Sequence, residues 1–166
     1  MAKVVLKLGA DISTDIIYPG RFMATVLPNE TPQYAFADNL DFNKKLKAKA
    51  IPAGSIIAAD KNFGCGSSRE QAASCIKGYE LTVVAKDFAR IFLQNAINLG
   101  LKMVICPTIE ASEGDELVIE GEQVVNQTTG KRFPTISLPK ARQVIIDAGG
   151  LIAYTRKRLL DRQAKK

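Results

Sequence analysis

The run from residue 4 to 8 is apolar, carries two β-branched residues and stops at Gly9, which predicts a first strand. Residues 11–15, Asp-Ile-Ser-Thr-Asp, are rich in side chains that form local turns. From Tyr18 to Pro32, three prolines and one glycine interrupt the chain, and a long loop is expected that does not settle into a regular element. Loops of that length in compact domains are usually functional or mobile. Residues 33–49 read as polar and partly helical.

After a turn at Ile51-Pro52-Ala53-Gly54, an apolar run over 55–59 predicts a buried strand. The glycine-bearing stretch Asn62-Phe63-Gly64-Cys65-Gly66 follows, then a helix over about 68–78 and a second buried strand over 81–85. Phe88, Ile91, Phe92 and Ala96 recur at helical spacing, and Gly100 is placed to stop that helix. A further strand is expected over 102–106, closed by Pro107. Strand, helix, strand, helix, strand is the order of parallel pairing with helical crossovers. Three short strands over 116–120, 123–126 and 131–133 read as an antiparallel meander. Pro139 opens a last helix that breaks at Gly149-Gly150 and resumes to about residue 162.

With 166 residues, 46% hydrophobic and 24% charged, the chain suits one globular domain over 1–166 with a basic helical tail from about residue 151. No apolar run approaches the ~20 residues of a membrane span, and the first residues do not form a secretory h-region. A cytoplasmic location is the default expectation. Histidine is absent, which removes Ser-His and Cys-His nucleophile pairs and most zinc sites. The three cysteines, Cys65, Cys75 and Cys106, are odd in number and widely spaced, so they suggest neither a disulfide framework nor a metal site on this chain. The net charge of +6 lies largely in Lys44–Lys49 and in the chain end. A solvated helix face and tail explain it, with an acidic partner or nucleic acid as alternatives. Aromatic residues are not interleaved with these charges, which argues against a stacking platform for single-stranded nucleic acid.

Chemistry concentrates in Gly64-Cys65-Gly66-Ser67-Ser68-Arg69-Glu70. Two glycines directly after a strand give the backbone unusual torsions, and the start of a helix offers unpaired N–H groups and partial positive charge. Two hydroxyls and a guanidinium add donors suited to a carboxylate. The dinucleotide fingerprint is excluded because Arg69 stands where a third small residue is needed, and the nucleotide-hydrolase loop because it requires Gly-Lys-Ser/Thr. Ser67-x-x-Glu70 is also a capping box, and the alternative expectation is that these two side chains do no more than satisfy helix amides.

Gly-x-Gly-Ser-Ser-Arg-Glu, Lys86-Asp87-Phe88-Ala89-Arg90-Ile91-Phe92, Asn95-Ala96-Ile97-Asn98-Leu99-Gly100 and Asp11-Ile12-Ser13-Thr14-Asp15-Ile16-Ile17-Tyr18-Pro19-Gly20-Arg21-Phe22 together resemble the mobile C-terminal domain of the aconitase superfamily. Within it, the chain is similar to the small subunits of 3-isopropylmalate dehydratases. The resemblance implies an α/β fold, a three-layer β/β/α swivelling domain with a mixed sheet. It implies a hydro-lyase that isomerises 2- and 3-isopropylmalate in leucine biosynthesis, active only with a large subunit that carries a [4Fe–4S] cluster. Ser67 would be the catalytic base, Arg69 and Ser68 would bind a substrate carboxylate, and Thr14 and Asp15 would line the site. Ala24, in the uncharged segment Phe22-Met23-Ala24-Thr25, would sit at the substrate's variable group. Related homoaconitase or dimethylmalate dehydratase subunits, and a non-catalytic anion- or RNA-binding swivelling domain, are the alternatives.

Overall fold

A computed structural model describes residues 1–164; the last two lysines of the basic tail lie outside the described residues. Seven strands form one sheet in the order β4-β3-β2-β1-β5-β6-β7. Strands β1 (Ala2–Lys7), β2 (Ile56–Ala59), β3 (Thr82–Ala85) and β4 (Met103–Ile105) run parallel. Strands β5 (Glu116–Glu120), β6 (Gln123–Asn126) and β7 (Arg132–Pro134) add the antiparallel half. Past β7 the chain returns to the other edge, where Ile136 bridges Ile105, so the sheet curls almost onto itself.

The curl creates two cores. Alternation sends Ile57, Ala59, Val83 and Ala85 toward the helices, and Ile56, Ala58 and Val84 into the fold of the sheet, where they meet Leu117, Val124 and Phe133. Strand β1 serves both faces through an irregularity. Val4 pairs with Ile56 but Leu6 pairs with Ile57, so one extra residue re-aims the strand. Val4 therefore packs in the inner core and Leu6 beneath the helices, although a strict period of two would put them on one face.

The helical layer contains α1 (Thr14–Ile17), α2 (Leu40–Lys47), α3 (Glu70–Gly78) and α4 (Arg90–Leu99). Crossovers α3 and α4 bury Ala72, Ala73, Cys75, Ile76, Phe92 and Ala96 against the sheet. Each large apolar side chain so buried contributes ~1.5–3 kcal/mol, which fixes these helices firmly. The final helices, α5 (Lys140–Asp147) and α6 (Leu151–Gln163), differ: α6 buries no side chain. Its charges are those of a solvated helix. No described helix is long and apolar enough to cross a membrane.

The segment from Tyr18 to Pro32 departs from the expected loop. It holds one 3-10 turn at Gly20–Phe22, and a second turn opens at its end, Thr31–Tyr34. Tyr18 explains the order. Its ring is fully buried, and its hydroxyl donates to the carbonyls of Phe22 at 3.1 Å and Thr25 at 3.2 Å. Phe22 then stacks on Tyr34 at 4.2 Å between centroids.

Candidate functional site

Because β1, β2 and β3 are parallel, the segments that leave their C-terminal ends emerge on one edge of the sheet, where ligands of open α/β sheets characteristically bind. Backbone bonds stitch these segments together. Gly64 donates to Ile12 at 2.7 Å, Thr14 to Cys65 at 2.8 Å, and Ala89 to Phe63 at 2.9 Å. The 62–69 turn is thus clamped between the first loop and the start of α4.

Glycine is required at the centre of that clamp. Gly64 has φ +81°, and a Cβ there would lie 2.2 Å from the Phe92 ring. Phe92 meets Phe63 edge-on at 5.2 Å, and Phe88 closes the aromatic floor of the site. Gly66, at φ +90°, faces Thr14 Oγ1 at 3.6 Å from its would-be Cβ, so the backbone turns against Thr14 before reaching Ser67.

The arrangement departs from the capping box. Helix α3 starts at Glu70 rather than near 68; its N-cap residue is Arg69, with no side-chain cap bond. Ser67 instead meets Thr14. The buried Thr14 hydroxyl donates to the Ser67 carbonyl at 3.1 Å and lies 3.3 Å from Ser67 Oγ. A hydroxyl has one proton, and a carbonyl cannot donate. While Thr14's proton lies on the Ser67 carbonyl, Ser67 can donate across the 3.3 Å contact, and either hydroxyl can serve as its donor. No hydrogen bond ties the backbone N–H of Ser67, Ser68, Glu70 or Gln71 to another described residue. Unpaired backbone donors and a helix N-terminus thus adjoin an exposed serine along the chain.

Arg69 of this turn bonds a different part of the first loop, Asp15 and Tyr18. Its side chain is only 12% exposed. One terminal nitrogen, Nη1, donates to the Asp15 carboxylate and to the Tyr18 carbonyl, the latter at 3.2 Å. Its Nε is buried without a partner. The Arg69 hydrogen bond holds the Asp15 carboxyl below the usual carboxylate range, with the Gly20 N–H adding to the effect. Asp15 Oδ1 also accepts that Gly20 N–H at 3.2 Å.

The structure therefore brings Thr14, Asp15, Ser67, Ser68 and Arg69 to one edge. Ala24 lies apart from the serines, exposed on the stretch pinned by Tyr18 between Phe22 and Thr25. Sequence reading missed three supporting residues. Tyr18 anchors that stretch, Asn95 of α4 donates to the Ser68 carbonyl at 3.4 Å, and Gln71 donates to the Met23 carbonyl at 3.3 Å. A helical-phase argument on Asn95 was available, because it is a polar residue one turn beyond Ile91 in a helix that starts at the same edge.

The cysteines do not meet. Cys65 is half-buried at the site, Cys75 is enclosed in α3 and Cys106 follows β4. Burial raises the thiol pKa of Cys75, and that of Cys106 to about 11, so both stay protonated at neutral pH and make poor metal ligands. Among the described residues no group of three or more His, Cys, Asp or Glu is placed to hold a metal ion.

The family model for the aconitase C-terminal domain matches residues 10–107, the span that holds all three converging segments. A 3-isopropylmalate dehydratase small subunit of Heliobacterium modesticaldum is 42% identical over 163 residues, covering 95% of each chain. An isopropylmalate/citramalate isomerase small subunit of Methanocaldococcus jannaschii is 41% identical, covering 96% of this chain and 95% of its own. A 2,3-dimethylmalate dehydratase small subunit of Eubacterium barkeri is 40% identical, covering 90% of this chain and 93% of its own. Among solved structures, 3-isopropylmalate dehydratase of Methanocaldococcus jannaschii superposes with a TM-score of 0.89 at 38% identity, covering 99% of this chain and 98% of that one.

Proposed function

Because this chain belongs to the aconitase C-terminal domain family, we propose that it is the small subunit of a heteromeric hydro-lyase interconverting 2- and 3-isopropylmalate by dehydration and rehydration. The observation that carries the reading is the exposed Ser67 hydroxyl, bonded to Thr14 rather than to helix amides, beside a nearly enclosed Arg69.

Ser67, in its ionised form, takes the proton from the carbon next to the one bearing the hydroxyl. The carbon–hydrogen electron pair becomes the double bond as the C–O bond breaks and hydroxide departs. Hydroxide returns to the alkene with opposite regiochemistry, and Ser67 gives its proton to the other carbon, which regenerates the ionised serine. A serine is a poor base in water, so its oxyanion needs preorganised donors. The free N–H groups around Ser67 supply them, and Thr14 can rotate its proton from the Ser67 carbonyl to the oxyanion. Arg69, with Ser68 assisting, receives a substrate carboxylate, either through Nη2, which bonds no other described residue, or by sharing the Asp15 partner of Nη1.

The separated cysteines do not fit a [4Fe–4S] cluster. We assign such a cluster to a large-subunit partner, where it would supply Lewis-acid polarisation of the departing hydroxyl. The chain then acts as one swivelling body in the cytoplasm, presenting its serine edge to the partner.

Uncharged Phe22, Met23, Ala24 and Thr25 favour an alkyl substituent over a third carboxylate, which would be desolvated without a cation. The test mixes the purified chain with an anaerobically reconstituted large subunit and follows conversion of 2-isopropylmalate. Activity is expected only from the mixture. Full turnover by the isolated chain would overturn the reading.

A further inference from the structure

One carboxylate oxygen joins the Arg69 guanidinium to the segment that leads to Ala24. Asp15 Oδ1 accepts from Nη1 of Arg69 and from the backbone N–H of Gly20. Gly20 is the first residue of the 3-10 turn Gly20–Phe22, which leads directly into Met23 and Ala24. The approach is close: a Cβ on Gly20 would lie 3.3 Å from both Arg69 Nη2 and Asp15 Oδ1. At the far end of the same stretch, the buried Tyr18 hydroxyl grips the carbonyls of Phe22 and Thr25, which bracket Ala24. Tyr18's own carbonyl is the second acceptor of Arg69 Nη1, at 3.2 Å. The links form a closed ring from Arg69 through Asp15, Gly20, Phe22 and Tyr18 back to Arg69.

We infer that Asp15 is a positioning residue that couples the orientation of Arg69 to the placement of the segment carrying Ala24. The inference rests on the reading of Arg69 and Ala24 as substrate-facing, but the link itself is a property of this chain alone. With Nε buried and unpartnered, the guanidinium is oriented by Nη1, whose two acceptors are Asp15 and the Tyr18 carbonyl. Removing Asp15 leaves one neutral acceptor on Arg69 and none on the Gly20 amide. A substrate carboxylate that draws Arg69 away from Asp15 weakens the same ring, so binding of the constant carboxylate and reading of the variable group are not independent. Isolated packing roles predict no such link.

The probe is amide hydrogen exchange in the isolated chain over residues 19–27, for wild type, Asp15→Ala and Arg69→Ala. In wild type the amides of Gly20, Phe22, Met23 and Thr25 are all bonded. Asp15→Ala should speed exchange there by about tenfold or more while exchange in α3 and α4 is unchanged. Arg69→Ala should speed it too, by a smaller factor, because Asp15 then loses its charged partner. Equal exchange in wild type and both variants overturns the coupling. In the reconstituted enzyme, the change in kcat/KM ratio between isopropylmalate and homoaconitate caused by Ala24→Arg should differ at least threefold between Asp15 and Asp15→Ala backgrounds. Additive effects overturn the coupling as well. If wild type has no isopropylmalate activity with its partner, the functional reading fails, while the exchange experiment still decides the link.

Discussion

The hydroxyl oxygens of Thr14 and Ser67, 53 residues apart in sequence, lie 3.3 Å from one another, and Thr14 is buried while Ser67 is exposed. The buried partner places a hydroxyl within hydrogen-bond reach of the exposed one, and either can donate. Thr14→Val keeps the shape but removes the side chain that, among the described residues, hydrogen-bonds the Ser67 hydroxyl and can donate to its oxyanion. Losing one such donor typically costs about 10²–10³-fold in kcat. Thr14→Ser should recover most of the loss. Steady-state kinetics of the assembled enzyme checks this, and a Thr14→Val enzyme with unchanged kcat would remove Thr14 from the chemistry.

Arg69→Lys should raise KM by about tenfold or more and change kcat less. Lysine can reach one acceptor as a point charge but cannot hold Asp15, the Tyr18 carbonyl and a substrate carboxylate in one plane. A fall in kcat at constant KM would instead place Arg69 in the transition state alone.

Ala24→Arg should move preference from isopropylmalate toward homoaconitate. Ala24 is exposed and the stretch around it is pinned, so the new side chain has room without disturbing the core. A cation there pairs with a third carboxylate and fills the space of the alkyl group. The kcat/KM ratio should swing by a factor on the order of a hundred. An unchanged ratio at intact activity would place the discriminating contact on the large subunit.

Gly64→Ala should destabilise the chain by about 2–4 kcal/mol, because it combines a left-handed torsion with a clash against the Phe92 ring. For a chain of this size that lowers Tm by roughly 5–15 °C. Calorimetry or circular dichroism of the isolated chain reads it. A shift of a degree or less would mean that the aromatic floor yields freely.

Much of this was legible in the sequence, for stated reasons. Buried β-branched runs bounded by glycine and proline marked β2, β3 and β4, and helical spacing marked α4, since period and punctuation are local signals. The Ser67–Arg69 turn was legible from its glycines. The contacts that organise the site were not. Thr14 meeting Ser67 and Asp15 meeting Arg69 are long-range pairs with no periodic trace. The Tyr18–Pro32 stretch read as irregular because of its prolines, whereas its order comes from a phenol hydroxyl serving two carbonyls of the same stretch, held there by the burial of the Tyr18 ring, which depends on the rest of the fold. The bulge at Val4 and Leu6 and the closure of Ile105 on Ile136 also depend on strand partners the sequence does not name.

The central claim is that this chain contributes the proton-abstracting half of a divided active site, and Ser67→Ala tests it most directly. The structure removes the usual ambiguity: Ser67 makes no helix-cap bond, so its hydroxyl can be deleted without loosening α3. The measurement is kcat for 2-isopropylmalate with the reconstituted large subunit, paired with the Tm of the isolated subunit, for wild type and Ser67→Ala. The account predicts a fall in kcat of about a thousandfold or more, with Tm within a degree or so of wild type. A Ser67→Ala enzyme that assembles normally and turns over within about threefold of wild type would contradict it.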